Sequence, residues 1–151
     1  MEQGRPARLA VPHRRLADDH GGEEVRYKPR DSLSAASLHL MPTQRVKLLT
    51  AAWFVGDKQG AMYDACTEEP EIAWQAILEM LQRDLTDDER AVLAAGPVED
   101  LLVWHGAAFI DRVEEESKSN PRFNNLLGGV WRREMPHEIW ERIEKARKEI
   151  W

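Results

Sequence analysis

Apolar residues recur along this chain at the three- and four-residue spacing of amphipathic helices from about residue 43 onward. The first stripe that this spacing predicts to be buried contains Val46, Leu49, Ala52 and Trp53. Thr43 stands where a side chain can cap such a helix, and Gly56 stands where the helix can end. Residues 56–69 show no sustained period, so we expect a loop there, with at most one short turn around Met62 and Tyr63.

The next helix is predicted to begin at Pro70, since proline suits the first position of a helix. Its apolar residues cover most of the circumference, which favours a central position in the core; they are Ile72, Ala73, Trp74, Ala76, Ile77, Leu78, Met80, Leu81 and Leu85. Thr86 and Glu89 have the spacing of a capping box, which predicts another helix start. Gly96-Pro97 is expected to end that helix and begin the next one.

Glycine and proline also mark the remaining boundaries. Gly106 is expected to end a helix just after His105. A further helix should follow, and then a short turn capped by Asn120-Pro121 and broken by Gly128-Gly129. The last helix is predicted to start near Pro136 and to bury Ile139, Ile143 and Ile150, with Trp140 and Trp151 at the edge of the buried face.

No segment alternates apolar and polar residues as a half-buried strand would. The pattern therefore predicts an all-α fold, a compact array of about six short helices in antiparallel hairpins. Residues 1–40 mix proline, glycine and both charges without an apolar period, so we expect a poorly ordered N-terminal arm. Residues 41–151 are expected to form a single helical domain.

Charge and cysteine usage narrow the class of protein. The net charge is −6, from 21 Lys and Arg against 27 Asp and Glu. Residues 1–40 hold seven basic and six acidic residues, which leaves 14 against 21, or about −7, for residues 41–151. An acidic body disfavours a protein that depends on neutralising phosphates. Cys66 is the only cysteine, and neither a membrane span nor a signal peptide is visible, so we expect a cytoplasmic protein without a membrane partner.

Three segments in the second half have a familiar order and spacing: residues 95–102 (AGPVEDLL), residues 105–114 (HGAAFIDRVE) and residues 126–131 (LLGGVW). Together they resemble a bacterial domain family of unknown function in which AGPxEDLL, HGxxFIxxVE and LLGGVW segments recur in that order. The resemblance covers about residues 70–143. It implies a bacterial helical domain and no particular activity.

His105 is the most interesting titratable residue, because acidic residues lie on both sides of it. If two helices fold back on each other, His105 and Asp111 can meet as an acid-base pair. The simpler interpretation is a histidine that interacts with the dipole and the open carbonyls of a helix C-terminus. The histidines lack the spacing of metal ligands, and Gly128-Gly129 lacks the context of a phosphate loop, so neither a metal nor a cofactor is expected.

Tryptophan is the compositional outlier, with six residues in the chain. Four of them lie in the second half, close in sequence to several arginines, and this combination is enriched at protein interfaces. The candidate binding residues are Trp104, Trp131, Arg132, Arg133, Trp140, Arg147 and Trp151. The same aromatic residues can instead fill a small helical core, or stack on single-stranded bases.

These patterns favour a small bacterial protein-binding module, such as an inhibitor, an immunity protein or an accessory subunit. Its partner is expected to be another protein, bound through the C-terminal Trp/Arg surface. The alternative is a nucleic-acid-associated protein that uses a basic last helix. A third hypothesis is an enzyme centred on His105.

Overall fold

The computed structural model describes residues 40–58 and 60–151, and these residues form six continuous helical segments and no strand. The predicted all-α class is therefore confirmed. The N-terminal arm expected for residues 1–40 lies, apart from Leu40, outside the described residues. None of the described helices is long and apolar enough to cross a membrane.

Helix α1 spans Pro42–Phe54 and begins earlier than the sequence predicts. Met41 is its N-cap residue, and the Gln44 side chain accepts a hydrogen bond from the Met41 backbone N–H at 3.2 Å. The expectation that Thr43 caps this helix is wrong, because Pro42, with its backbone already suited to the first turn, starts the helix ahead of it. The buried stripe is confirmed at Val46, Leu49 and Trp53.

Helix α2 spans Gly60–Glu68, where the sequence predicts a loop. The loop prediction is wrong because the buried face is only three residues, Met62, Ala65 and Cys66, too short to show a sustained period. Asp57 provides the start signal, since its Oδ1 accepts a hydrogen bond from the Gly60 N–H at 3.1 Å.

Helix α3 spans Pro70–Met80 and packs against α1 and α2, in the central position predicted for it. Trp74 is buried on this helix. Its ring centroid lies 5.8 Å from that of Phe109 and 5.4 Å from that of Phe123. Trp74 therefore joins α3 to the two later helices that carry these phenylalanines.

Helix α4 spans Asp87–Leu93 and starts with the predicted capping box: Thr86 Oγ1 accepts from the Glu89 N–H at 3.2 Å, and Glu89 Oε2 accepts from the Thr86 N–H at 2.9 Å. The predicted break at Gly96-Pro97 is wrong. The chain continues through a π-helix, Ala94–Val98, into α5, Glu99–Ser119. A π-turn shifts the hydrogen-bond ladder by one residue, which accommodates a proline without an N–H.

The helix boundary predicted at His105 and Gly106 is present as a kink. His105 has non-helical angles, φ −132° and ψ 20°, and a second helical stretch continues from there to Ser119, so we describe both stretches as α5. A Cβ on Gly106 would lie 3.0 Å from Cγ2 of Ile139, so this glycine also allows close helix packing.

Two further helices complete the fold. Helix α6 spans Pro121–Leu127, and the predicted Asn120 cap is confirmed, because its Oδ1 accepts from the N–H groups of Arg122 and Phe123. Helix α7 spans His137–Ala146 and buries Ile139 and Ile143 against α5. The prediction that Ile150 is buried with them is wrong, because the helix ends before it and Ile150 is exposed. One buried apolar cluster runs from Val46 to Ile143, so the described helices share a single core.

Candidate functional site

Glu99 is a buried carboxylate at the first position of α5, directly after the π-helix. Its Oε1 accepts a hydrogen bond from the backbone N–H of Trp131 at 2.8 Å, and its Oε2 lies 3.6 Å from Nε of Arg133. Burial raises the pKa of Glu99, while the Trp131 N–H and the positive charge of Arg133 lower it in part. A buried acid with such partners orders the loop that it contacts.

Arg133 has a left-handed backbone conformation, with φ +45°, which is uncommon outside glycine. Its Nη1 donates to Oδ1 of Asp100 at 2.8 Å, in addition to the ion pair with Glu99. Strained residues of this kind concentrate at functional sites, where surrounding contacts hold them. Here the two adjacent carboxylates of α5 supply those contacts.

The peptide group between Val130 and Trp131 is held at both of its polar atoms. Its N–H donates to Glu99, and its carbonyl oxygen accepts from Nη1 of Arg147 at 3.0 Å. Val130 is buried and Trp131 is 63% exposed. The chain therefore fixes the backbone of Trp131 from two sides and leaves its indole in solvent.

Trp104 lies on α5 one turn after Asp100 and is 58% exposed. Residues four apart on a helix are neighbours, so Trp104 lies next to Asp100, and Trp131 lies two residues before Arg133; the Asp100–Arg133 ion pair therefore joins the two segments that carry these tryptophans. We call these residues, with Arg132, the Trp104–Trp131 surface. Arg132 is exposed and has no salt bridge within the part of the chain that the structure describes.

Trp140, Arg147 and Trp151 make their contacts within the chain instead. The guanidinium of Arg147 lies 4.7 Å from the ring centroid of Trp140, and the Arg147 side chain is only 7% exposed. Trp140 is partly buried. The indole N–H of Trp151 donates to the carbonyl oxygen of Asn125 at 2.7 Å. The seven predicted binding residues therefore separate into an open set and a set engaged internally.

His105 and Asp111 have different partners in the fold. The Nε2 of His105 is hydrogen-bonded at 2.9 Å to the backbone carbonyl oxygen of Thr67 on α2, and Asp111 accepts from Arg142 on α7. The structure therefore does not bring the two together as an acid-base pair. Thr67 lies in the last turn of α2, which ends at Glu68, so the imidazole contacts an open carbonyl at the C-terminus of that helix, as the simpler interpretation of His105 expects for a helix end.

Cys66 lies on the inner face of α2, and its Sγ–H donates to the carbonyl oxygen of Pro97 at 3.4 Å. Burial, with a smaller effect from Asp100, raises the pKa of this thiol to about 12. A thiol that stays protonated is a poor nucleophile. In residues 40–58 and 60–151, no group of three histidine, cysteine or acidic side chains is placed to hold a metal ion.

The sequence did not reveal Glu99 as a site residue, because an acidic residue in the first turn of a helix usually lies in solvent. One signal was present: Glu99 directly follows the apolar Val98 and lies two positions before Leu101, and both of these residues are buried in the structure. The contact with Trp131 joins positions 32 residues apart, and local spacing does not predict such a contact.

A family of unknown function (DUF6869) matches residues 49–150. The chain belongs to this family. The matched range contains Glu99, Asp100, Trp104 and Trp131, so the whole Trp104–Trp131 surface lies within the family domain. No match was found among the curated proteins or among the solved structures. The expected membership in a family of unknown function is confirmed, and the bacterial origin stays an expectation.

Proposed function

We propose that this member of the family is a protein-binding module and that the Trp104–Trp131 surface is its contact face. The observation that carries the proposal is the exposure of two tryptophans, 58% and 63%, on two segments that one ion pair joins. Tryptophan and arginine are the residue types most enriched at interface hot spots, because they combine large contact area with a polar group.

Preorganisation supports the same conclusion. Glu99 and Arg147 hold the Val130–Trp131 peptide group, and Asp100 holds Arg133. A contact loop that is already ordered loses less conformational entropy when it binds. These internal contacts favour a face that meets its partner without rearrangement.

The charge of the body indicates what kind of partner fits. Residues 41–151 carry about −7, the difference between 14 basic and 21 acidic residues. A partner with a positive contact surface would be attracted from a distance, and its association would slow as salt is added. An inhibitor, an immunity protein or an accessory subunit of a basic protein agrees with this charge. We place the protein in a bacterial cytoplasm, on the basis of its lone cysteine and its sequence resemblance.

The alternatives have less support. Helix α7, proposed as a basic nucleic-acid contact, carries Glu138, Glu141 and Glu144 against Arg142 and Lys145. Arg142 is itself bound to Asp111 and Glu114. An enzyme centred on His105 would need a partner acid for the imidazole, whereas its Nε2 is hydrogen-bonded to the Thr67 carbonyl and Asp111 accepts from Arg142.

The test is a comparison of three baits in lysate of the source organism: the wild-type chain, Trp104→Ala/Trp131→Ala, and Tyr63→Ala. Tyr63 is a matched control, since it is 43% exposed on α2 and lies outside the proposed surface. We expect one protein to be retained by the wild type and Tyr63→Ala and to be lost with the double variant.

The captured protein is then purified and its binding measured directly. The double variant should raise the dissociation constant by about 30-fold or more, as expected when a hot spot worth about 2 kcal/mol is removed. Equal binding by all three chains would rule out this face. Capture of nucleic acid that persists in the double variant would support the alternative.

A further inference from the structure

Gly128 and Gly129, at the C-terminal end of α6, lie directly beneath the side chain of Trp151. A Cβ on Gly129 would lie 2.5 Å from Cη2 of this indole, and a Cβ on Gly128 would lie 2.8 Å from its Cδ1 and Nε1. The Gly128 Cβ would also press against the backbone carbonyl oxygen of Glu149. The ring can pack directly on the backbone at these two positions only because both residues are glycine and have no Cβ.

One of the polar contacts, that of the indole N–H, is specific for tryptophan. The indole N–H donates to the Asn125 carbonyl oxygen at 2.7 Å, and the Trp151 backbone N–H donates to the Gly128 carbonyl oxygen at 3.2 Å. The guanidinium of Arg90 lies 5.0 Å from the ring centroid, within the range of a cation–π contact. We call Arg90, Asn125, Gly128 and Gly129 the indole cradle. It recognises the N–H, the edge and the face of the ring.

The segment that carries Trp151 is a non-helical strap, residues 147–151, which follows α7. Arg147 has extended backbone angles, φ −77° and ψ 142°, and the Lys148 N–H donates to Oδ1 of Asn124 at 3.1 Å. Ile150 is 66% exposed and Trp151 is 41% exposed. The last two residues of the strap thus lie at the surface of the domain, whereas Arg147 at its start is 7% exposed and holds the Val130 carbonyl oxygen.

We infer that the indole cradle is a binding site for a tryptophan on an extended segment, and that the strap of a second copy fills it when the chain's own strap is released. The fit to Trp151 supports this occupant, because every copy carries the same segment. Exchange of identical elements between copies requires no new contacts. The chain's own strap is covalently attached, so its effective concentration at the cradle is in the millimolar range and it outcompetes the strap of a second copy. Exchange therefore requires that the chain's own strap be displaced first.

Two complementary variants separate the two halves of the site. Gly128→Ala should release the strap while keeping its tryptophan, because the added Cβ meets backbone as well as ring. Trp151→Ala should leave the cradle intact and empty. Isotope-labelled Trp151→Ala is titrated with unlabelled Gly128→Ala, and the amide signals of Asn125 and Gly129 are followed by NMR.

We expect saturable shifts at these amides, with a midpoint at least about tenfold lower than for wild-type donor, whose strap is held in its own cradle. The donor Gly96→Ala should resemble wild type, since a Cβ at Gly96 meets nothing within 4 Å. The double variant Gly128→Ala/Trp151→Ala should cause no shift. Equal shifts with this double variant, or none at all with Gly128→Ala, would overturn the inference.

A peptide with the sequence of residues 147–151 provides a second test that does not depend on the release of the strap. It should shift the same amides of Trp151→Ala, and a peptide with alanine in place of the tryptophan should not. If Trp151→Ala does not fold alone, the tryptophan peptide should restore its folding. Failure to restore folding would also overturn the inference.

Discussion

At the scale of single residues, Glu99 combines a charge with burial that would ordinarily destabilise the fold. The isolated carboxylate would lose much of its hydration free energy, and the Trp131 N–H and Arg133 replace only part of it. The result is a carboxyl group that is held in place and has a raised pKa. The free energy lost by burying Glu99 is therefore offset in part by contacts that also order the loop carrying Trp131.

This raised pKa predicts a pH dependence of stability. The folded chain binds the Glu99 proton more tightly than the unfolded chain, whose carboxyl has the usual pKa of 4.5. The contribution of Glu99 to the free energy of unfolding is therefore highest below pH 4.5, and it declines as the pH rises through the folded-state pKa. We expect the stability of wild type minus that of Glu99→Gln to fall over this window in urea titrations.

The matched control for this measurement is Glu115→Gln, at an exposed position of α5. Its difference from wild type should show a smaller dependence on pH. If the stability of wild type minus that of Glu99→Gln rises with pH, the effect of Arg133 and the Trp131 N–H on the pKa of Glu99 exceeds the effect of burial.

Thr86 provides a second prediction at this scale. Thr86→Ala removes the hydroxyl that accepts from the Glu89 N–H, so it should lower the free energy of unfolding by about 1 kcal/mol. Glu89→Ala should cost less, because the threonine cap remains. Thr43→Ala is the control, since Thr43 lies within α1 and is exposed, and it should have little effect. Denaturant titrations with unchanged slope would measure all three, and a silent Thr86→Ala would contradict the role of the cap.

At the scale of secondary structure, helix boundaries depend on what packs around them. Thr86 and Asn120 were predictable as caps because their hydrogen bonds close within three residues. Gly96 was misinterpreted because a π-helix carries the chain past Gly96-Pro97, and the sequence does not signal that change of hydrogen bonding. At Gly106 the boundary was predicted, but the close packing that the glycine also allows was not. The side chain that packs closely at Gly106 is Ile139, 33 positions away.

Helix α7 should be held to α5 mainly by apolar packing. Ile143 is fully buried, so Ile143→Ala should lower the free energy of unfolding by about 2–5 kcal/mol. Arg142 joins Asp111 and Glu114 at the surface, where solvent screens ion pairs, so Arg142→Ala should have a much smaller effect. Chemical denaturation of both variants tests this order, and a larger loss for Arg142→Ala would show that the ion pairs dominate.

At the scale of the whole molecule, the helical class and the single core followed from apolar periodicity, because the buried faces repeat over several turns. The composition of the candidate surface was only partly predictable. The sequence grouped four tryptophans by proximity, but contacts within the chain separate Trp140 and Trp151 from Trp104 and Trp131. That separation depends on contacts between distant segments, such as the Trp151 indole on Gly128-Gly129.

The core predicts the effect of removing residues 1–40. All of its members lie between Val46 and Ile143, and the cap of α1 is supplied by Met41 and Gln44. A chain that begins at Met41 should therefore melt within about 8 °C of the full chain, equivalent to a loss of no more than about 1 kcal/mol. Calorimetry of the two chains measures this, and a larger drop would show that the removed residues contribute to the fold.

The Cys66–Pro97 hydrogen bond makes chemical labelling of the Cys66 thiol a probe of local opening between α2 and the π-helix. The Sγ–H is enclosed between α2 and the π-helix, and a thiol with a pKa of about 12 reacts slowly even when a reagent reaches it. Under native conditions, labelling must therefore wait until these two elements part. Since the sequence contains no other cysteine, the labelling rate, divided by the rate for the unfolded chain, gives the opening equilibrium of that junction directly.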